Sequence, residues 1–414
     1  MAQKRTDPGN SNDLIAGLAP KILEMLKDVH QLELENFSME IGDLDLFIPT
    51  SGFTRPHGAI PSEPAPPAGK PVSLIREPYV PITQKYPGKI REVTLGATRA
   101  QGGSRASTVT IGGATTPAYS DRIHLPPHPP VISLDVFDMP VSLPKVLKEN
   151  VAEVMDHPAE WAKMNVKKFG ADVVTIHLTS TDPLFRNATP ASAVKTVEEI
   201  LQAVDVPLII GGCGDPKKDA QVFTAISDMA AGERLLLNSV TLDMAEAKTL
   251  ETVATSAKKN GHLLLAFTGL ELNNAKELNR RLYEYIPHDQ IVMDLTTVAL
   301  GYGLEYSFTI HERARYAALM GDNELAHPVI SAATNAWAAR EAWMKMPEQY
   351  GPRELRGPVW ETINAVSLLL AGIDLFLMMH PAAVVTLREM ITRLGHAQQA
   401  PSAGSIADWV GVRV

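Results

Sequence analysis

The sequence predicts an α/β fold: an eight-stranded parallel (β/α)8 or TIM barrel, with an irregular β-rich N-terminal extension and a short C-terminal tail. From Pro130 onward, short runs rich in Leu and β-branched residues alternate with helical stretches. Alternation of strands with helices indicates a parallel sheet. Residues 130–397 contain eight such units, which is the number and size of unit that closes a barrel.

Each predicted strand is followed by a predicted helix. The strands are Val131–Asp135, Asp172–Leu178, Pro207–Ile210, Arg234–Leu237, His262–Ala266, Gln290–Asp294, His327–Ser331 and Asp374–Met378. The helical stretches are Leu143–Phe169, Pro190–Ala203, Lys217–Ala230, Met244–Asn260, Asn274–Tyr285, Leu304–Met320, Asn335–Lys345, Val359–Ala371 and Ala382–Leu394. An open doubly wound sheet is the alternative. It usually has a glycine-rich first turn, and residues 135–143 contain no glycine.

The chain is predicted to divide into an extension (residues 1–129), the barrel (130–397) and a tail (398–414). Of the 31 prolines, 17 lie in residues 1–130. Gly52–Lys70 is rich in Pro, Gly and Ala and is typical of a linker. Further segments in the extension are predicted as one helix, Leu14–Leu26, and as strands in Gln31–Ile48, Ile90–Thr98 and Ala106–Ile111.

Composition excludes several classes of protein. The net charge is -9, which argues against a nucleic-acid binder. Cys213 is the single cysteine, so this chain can form no internal disulfide and cannot hold a four-cysteine iron–sulfur cluster. The N-terminus has no apolar signal segment, and no run reaches the roughly 20 apolar residues that cross a bilayer. A cytoplasmic protein without a membrane partner is therefore expected.

Ligands of such barrels bind at the carboxyl ends of the strands. The residues that follow the predicted strands are rich in amide, hydroxyl and glycine and include no Lys. The missing Lys argues against a Schiff-base aldolase, and no GxSxG or nucleotide-binding glycine pattern is present. This rim suits a neutral, polar ligand with a broad contact face.

The histidines and the single cysteine are weaker indicators of function than the composition of the rim. His311-Glu312 begins like a zinc motif, but Arg315 stands where the second histidine would be, so a histidine on a helix surface is favoured. His177 and His380 are interpreted as packed, hydrogen-bonded histidines rather than catalytic groups. Cys213 is interpreted as a small buried residue rather than a reactive thiol.

Other features stay open between two interpretations. Asp182 and Asp294 either hydrogen-bond a cofactor or have a structural role, which for Asp182-Pro183 is to begin a turn or to cap the following helix. Gly301-Tyr302-Gly303 is either a simple turn or a close approach of the backbone to a ligand, and the second is slightly favoured. Trp337, Trp343 and Trp360 belong either to the core or to an interface. Trp409–Val414 alternates like a strand that covers the barrel or a neighbouring subunit.

Several segments together resemble the delta subunit of the acetyl-CoA decarbonylase/synthase complex, whose bacterial counterpart is the small subunit of the corrinoid iron–sulfur protein. The segments are His177–Pro183, Lys195–Gly212, Gly232–Val240, Glu277–Leu282, Ile291–Ser307, Arg356–Glu361 and Ala371–Pro381. The resemblance covers about residues 131–397. Leu295 replaces the usual proline after the sixth strand, and Cys213 replaces the usual serine after the third.

The resemblance implies a heterodimer with a gamma (large) subunit that carries a [4Fe–4S] cluster and shares a corrinoid (cobalamin) with this barrel. It implies that a methyl group passes from a methyl-tetrahydropterin, by way of a pterin methyltransferase, to the nickel cluster of an acetyl-CoA synthase subunit. The setting would be anaerobic one-carbon metabolism. No catalytic or metal-binding residue of this chain is predicted.

Cobalt carries out the chemistry in that scheme, and the protein supplies binding and placement. From their positions at strand ends, the predicted corrinoid-facing residues are Thr181, Asp182, Gly212, Asn238, Asp294, Thr297, Gly301 and Tyr302. One alternative is a stand-alone pterin-dependent methyltransferase. Another is a purely structural scaffold subunit without any cofactor contact.

Overall fold

The computed structural model describes residues 84–119 and 125–395. The segments predicted at Leu14–Leu26, Gln31–Ile48, Gly52–Lys70 and Trp409–Val414 lie outside the described residues. Residues 84–119 belong to the same compact unit as the barrel. The predicted domain boundaries after residues 129 and 397 stay predictions. Within the described ranges, no helix is long and apolar enough to cross a membrane.

The predicted closed parallel barrel is confirmed. An antiparallel hairpin, β1 (Glu92–Leu95) with β2 (Val109–Gly112), precedes it. The barrel strands are β3 (Val131–Phe137), β4 (Val173–His177), β5 (Leu208–Gly211), β6 (Leu236–Val240), β7 (Leu263–Phe267), β8 (Ile291–Asp294), β9 (Val329–Ala332) and β10 (Leu375–Met378). They follow one another in chain order around the barrel, and β10 closes it by pairing with both β9 and β3.

Ten α-helices lie in the described ranges. They are α1 (Lys145–Val151), α2 (Pro158–Lys167), α3 (Pro190–Ala203), α4 (Pro216–Met229), α5 (Leu242–Glu246), α6 (Leu250–Asn260), α7 (Leu272–Tyr283), α8 (Leu304–Leu319), α9 (Arg353–Ala371) and α10 (Pro381–Gly395). Pro occupies the first helical position of α2, α3 and α4, where its missing N–H costs nothing.

Three predicted helices differ from those observed. The helix predicted over Leu143–Phe169 is two helices, because Pro158 begins a new one. The helix predicted over Met244–Asn260 is α5 and α6, with Lys248 between them at a φ of 59°. The stretch Asn335–Lys345 was predicted as helix but forms short 3-10 turns, and α9 begins only at Arg353.

Alternation along the strands separates two cores. Ile132, Leu134 and Val136 of β3 belong to the outer core beneath the helices. Val173, Ile209 and other side chains of the opposite strand face fill the interior of the barrel. Because side chains alternate between faces, Asp135, His177, Asn238 and Asp294 fall on the interior face at its carboxyl-terminal end.

The β1–β2 hairpin packs with the interior core. Val93, Leu95 and Ile111 are buried in the same cluster as the interior residues of the barrel strands. Around the hairpin, the Gly96 N–H donates to the Arg234 carbonyl at 3.0 Å, and Arg234 Nε donates to the Thr94 carbonyl at 3.1 Å. The hairpin therefore covers the amino-terminal end of the barrel and leaves the opposite end for ligands.

A buried carboxylate joins the last strand to its neighbours. The Asp374 side chain accepts a hydrogen bond from the Val329 N–H at 2.9 Å and lies 3.2 Å from the Arg315 guanidinium. Its backbone N–H donates to Val329, and its carbonyl accepts from Val131. Burial raises the pKa of Asp374, and Arg315 opposes that shift. Gly372 is required beside this pair, since a Cβ there would lie 2.3 Å from Arg315 Nε at a φ of +96°.

We expect Asp374→Ala to lower the free energy of unfolding by about 3–5 kcal/mol, because it leaves the Arg315 cation buried and unpaired. Glu277→Ala is the matched control. It breaks the exposed Arg281–Glu277 pair and should cost less than about 1 kcal/mol. Urea unfolding measures both. Equal losses in the two variants would show that the Asp374 pair does not hold the barrel closed.

Candidate functional site

The residues predicted to face a cofactor all lie at the carboxyl-terminal end of the barrel. Thr181 and Asp182 follow β4, Gly212 follows β5, and Asn238 is in β6. Asp294 ends β8, and the connection from β8 to α8 contains Thr297, Gly301 and Tyr302. We call this set of eight residues the rim. Whether it contacts a cofactor stays a prediction.

Thr181, Asp182 and Thr297 are rim residues whose side chains have partners close by within the chain. Thr181 is fully buried, and its hydroxyl donates to the Leu178 carbonyl at 2.7 Å. Asp182 accepts from the Leu184 N–H at 2.7 Å, which fixes the turn that follows β4. Thr297 is buried, and its hydroxyl is 2.9 Å from that of Ser331. These side chains shape the rim more than they offer free groups to a ligand.

Gly212 permits a close approach that no other residue would allow. A Cβ at this position would lie 2.4 Å from the carboxyl carbon of Asp219. That carboxylate accepts from the Cys213 and Gly214 N–H groups, each at 2.8 Å, and from Cys213 Sγ at 3.1 Å. Burial raises the pKa of Asp219, and these hydrogen bonds oppose the shift. Burial also raises the pKa of Cys213 to about 11, so the thiol is unreactive at neutral pH.

A cavity of about 240 Å³ opens beside Gly212. It is lined by His177, Gly211–Gly214, Asp219, Asn238, Ser239, Thr241 and Met244. Its volume is below the roughly 300–1,000 Å³ of pockets for drug-sized ligands. The cavity therefore has room for one small ring system.

Asp135 and His177 lie side by side at the inner edge of the rim and form an ion pair when the imidazole is protonated. His177 Nε2 is 3.2 Å from Asp135 Oδ1, and the imidazole stacks on Phe137 with the ring centres 4.9 Å apart. Neither group makes a hydrogen bond through these atoms within the described part of the chain. Burial opposes the charged imidazole, but attraction to Asp135 is stronger overall and raises the pKa of His177.

Asp294 is a buried carboxylate with no cation against it among the described residues. Its side chain accepts from the Thr296 N–H at 2.8 Å, and burial raises its pKa to about 6. Thr296 has a φ of 77°, and its hydroxyl donates to the Thr268 carbonyl at 2.8 Å. Asp294 therefore begins a turn, and its carboxyl lies on the interior face of the barrel as well.

Gly301 and Gly303 both have positive φ values, 81° and 125°. Tyr302 between them is 56% exposed, and its hydroxyl donates to Glu341 at 2.9 Å. The segment forms an open turn. It presents an aromatic ring at the rim.

Glu361 of α9 is a further buried acid beside the rim. Its carboxylate accepts from the Met379 N–H at 2.6 Å, the His380 N–H at 3.0 Å and Trp337 Nε1 at 3.1 Å. Burial raises its pKa to about 7, these hydrogen bonds oppose the shift, and the negative charge of Asp135 adds to it.

Sequence reasoning did not identify Asp135 or Glu361 as site residues. Asp135 carried a weak signal, since it is a charged residue at the end of an otherwise apolar strand segment. Nothing in the sequence around Glu361 indicated a site residue, because its place beside the rim depends on how α9 packs.

His311 and His380 make contacts within the fold. His311 was expected on a helix surface but is fully buried, and its Nδ1 is 2.6 Å from the Ser307 carbonyl. It faces inward because it lies on the face of α8 that carries Ser307 and Ala314, both buried. His380 stacks on Trp337 with ring centres 6.1 Å apart. In the described ranges, no three His, Cys, Asp or Glu side chains are grouped to hold a metal ion.

The closed barrel and its polar mouth define a (β/α)8-barrel protein with a polar rim. The family model for the CO dehydrogenase/acetyl-CoA synthase delta subunit matches residues 92–351. The chain belongs to this family.

Curated relatives carry the matching name. The acetyl-CoA decarbonylase/synthase complex subunit delta of Archaeoglobus fulgidus is 45% identical, over 98% of this chain and 92% of that protein. The subunit delta of Methanosarcina mazei is 48% identical, over 79% of this chain and 75% of that protein. Among solved structures, a dihydropteroate synthase from Xanthomonas albilineans is 16% identical with a TM-score of 0.45, covering 67% of this chain and 96% of that one.

Asp294→Asn should change the pH dependence of stability. Because the folded state raises the pKa of Asp294 from 3.8 to about 6, the carboxylate destabilises the fold fully above pH 6 and loses this effect as the pH falls towards 4. The free energy of unfolding of Asp294→Asn relative to wild type should rise by roughly 1–3 kcal/mol between pH 4 and pH 7.5. Urea titrations at both pH values measure it, and a pH-independent difference would refute the burial argument.

Asp135→Asn should lower the pKa of His177. Without the Asp135 charge, burial acts with little opposition and disfavours the imidazolium. Titration of the His177 ring by NMR should give a pKa below that in wild type. His157→Gln, at a helix terminus away from the pair, serves as an assignment control. An unchanged His177 pKa would show that the ion pair is not formed in solution.

Proposed function

We propose that this chain is the delta (small) subunit of a corrinoid iron–sulfur protein and helps to hold a corrinoid (cobalamin) at its rim, against the gamma (large) subunit. The [4Fe–4S] cluster would belong to the large subunit alone. The heterodimer would carry a methyl group between a methyl-tetrahydropterin and the nickel cluster of an acetyl-CoA synthase subunit. Membership of the delta-subunit family supports this function.

The observation that carries the proposal is the chemical character of the rim. None of its eight residues is cationic, and they combine amide, hydroxyl, carboxyl and glycine groups. Exposed apolar side chains accompany them, including Phe267, Leu270 and Tyr306. A corrin ring has a broad apolar face and an edge of amide side chains, so both parts of the ring find matching groups here.

The residues present fit such a cofactor. The half-buried Asn238 amide both donates and accepts hydrogen bonds, the Asp294 carboxyl accepts amide N–H groups, and the exposed Tyr302 ring offers an apolar face. When bound, the corrinoid supplies the cobalt that carries the methyl group. The chain's own residues bind the edge of the ring, orient it, and keep positive charge away from an electron-rich metal.

A second candidate function is direct binding of the methylated pterin by this barrel. The cavity of about 240 Å³ beside Gly212 favours it, because that space suits one small ring system and not a corrin. His177 and Asn238 line the cavity and could bond a polar heterocycle. In this case the isolated chain would bind the pterin without a partner.

Anaerobic co-expression with the large subunit tests the proposal. Native mass spectrometry and cobalt analysis should give a one-to-one heterodimer with one corrinoid, and the cobalt should be lost from the chain purified alone. A heterodimer whose corrinoid is unaffected by rim substitutions would support the scaffold role. A monomer that ignores the large subunit and binds methyl-tetrahydropterin in calorimetry would support the stand-alone methyltransferase.

Rim substitutions should weaken corrinoid retention in the heterodimer. Removal of one hydrogen bond should weaken it roughly 2–10-fold in Asn238→Ala and in Asp294→Ala. Gln221→Ala, an exposed amide on the outside of α4, is the matched control and should retain cobalt as wild type does. Cobalt content after dialysis measures the effect. Equal retention in all three variants would contradict a corrinoid contact at these residues.

A further inference from the structure

His177 differs from the other described histidines whose pKa values are shifted. Burial lowers the pKa of His262, His288, His311, His327 and His380. Burial also disfavours the imidazolium of His177, but attraction to Asp135, with a smaller contribution from Asp138, raises its pKa. A histidine that holds its proton near neutral pH is suited to give that proton to a ligand and to take it back.

The two ring nitrogens of His177 have different surroundings. Nε2 lies 3.2 Å from Asp135 Oδ1, and the Asp135 side chain is only 1% exposed. Nδ1 lies on the side of Gly211, where a Cβ would be 3.2 Å from it. Within the described ranges, Nδ1 makes no hydrogen bond to the protein. A buried carboxylate therefore holds one nitrogen of the ring and leaves the other available to a ligand. We call His177 and Asp135 the dyad.

The ends of β3 and β4 fix the position of the dyad. The Asp135 carbonyl accepts a hydrogen bond from Asn165 Nδ2 at 3.1 Å, and the His177 carbonyl accepts one from the Asp138 N–H at 3.1 Å. Phe137 stacks on the imidazole. A histidine that a buried carboxylate orients, with its second nitrogen directed at a ligand, is the arrangement found in general acids and bases.

The cavity of about 240 Å³ beside Gly212 lies next to Nδ1, since His177 and Gly211 both line it. Among the described residues that line this cavity, His177 is the one that can carry a positive charge. The lining carboxylate, Asp219, is occupied by the N–H groups of Cys213 and Gly214. A ligand atom that needs a proton in this cavity therefore finds its donor in the dyad.

Two further acids act on the dyad from neighbouring elements. Asp138, which follows β3, favours the protonated form of His177. Glu361 of α9 lies close enough to Asp135 for the two negative charges to repel each other. Both acids add negative charge around the imidazole, so they favour a ring that binds a proton.

We propose that His177, positioned by Asp135, is a catalytic proton donor to the ring nitrogen of a methylated tetrahydropterin bound in this cavity. The inference rests on the second candidate function above, in which the barrel itself binds the pterin. His177 would touch the reacting nitrogen, whereas Asp135 acts through His177 and is a positioning residue.

The proton balances the transfer of the methyl group. The bond between the methyl carbon and the ring nitrogen breaks, and its electron pair stays on the nitrogen. The carbon bonds to the nucleophile that the corrinoid of the proposed function supplies. The His177 proton goes to the nitrogen, because a neutral amine leaves far more readily than an amide anion. Water then returns a proton to His177.

His177→Asn in the full chain tests the proposal, because the Asn amide can donate a hydrogen bond from the position of Nδ1 but cannot transfer a proton. Calorimetry with N5-methyl-tetrahydropterin as the probe gives the Kd at each pH. In wild type the Kd should rise by up to about tenfold per pH unit as the pH rises through the pKa of His177. In His177→Asn this dependence should be absent.

The rate of methyl transfer in the heterodimer provides a second measurement. A general acid contributes about 100-fold or more, so His177→Asn should lower the single-turnover rate by at least that factor. Asp135→Asn should keep the pH dependence of the Kd but move it to lower pH. His157→Gln removes an exposed imidazole at the start of α2 and is the matched control, with a wild-type profile. Circular dichroism checks that each variant is folded.

The outcomes separate this inference from the proposed function. Loss of the pH dependence in His177→Asn, with the shift in Asp135→Asn, supports the proton donor. An unchanged pH profile and rate in both variants overturns it and leaves pterin binding by the barrel intact. If the wild-type chain does not bind the pterin, the inference fails together with the second candidate function. Cobalt retention in the heterodimer would still test the corrinoid proposal independently.

Discussion

Closure of the barrel rests on Asp374, a buried carboxylate at the start of the last strand. It bonds to the backbone of β9 through its side chain and to β3 through its carbonyl, and Arg315 balances its charge. The rim residues come from strands far apart in the chain, so only a closed barrel holds them in a fixed arrangement. The buried Asp374–Arg315 ion pair therefore helps to fix the arrangement of all the residues at the mouth of the barrel.

Several acids at the mouth of the barrel have raised pKa values. Burial raises the pKa of Asp294 to about 6 and that of Glu361 to about 7, and it also raises the pKa of Asp138. Near neutral pH the Asp294 carboxyl is therefore mostly ionised and accepts hydrogen bonds, whereas Glu361 carries a proton in a substantial fraction of molecules. The neutral, amide-rich ligand of the proposed function needs none of the positive charge that phosphate ligands require.

The exposed apolar side chains at the mouth of the barrel are consistent with the proposed function. A partner that shares a cofactor with the rim would cover Leu184, Phe185 and Tyr302, which are exposed in this chain. Helices α1–α7 carry no large exposed apolar side chain, and ion pairs such as Lys276–Asp322 lie on their surface. This division of the surface is expected of a barrel that works as a subunit of a larger complex.

Sequence alone determined the strand and helix alternation, and with it the (β/α)8 barrel, because period-two and period-3.6 patterns are local. It also placed the eight rim residues at strand ends. It could not show that the Thr181 hydroxyl donates a hydrogen bond to the Leu178 carbonyl, that His311 is buried, or that Glu361 lies beside the rim. Those facts depend on contacts between distant segments and on the desolvation that packing imposes. A local sequence pattern indicates neither the contacts nor the desolvation.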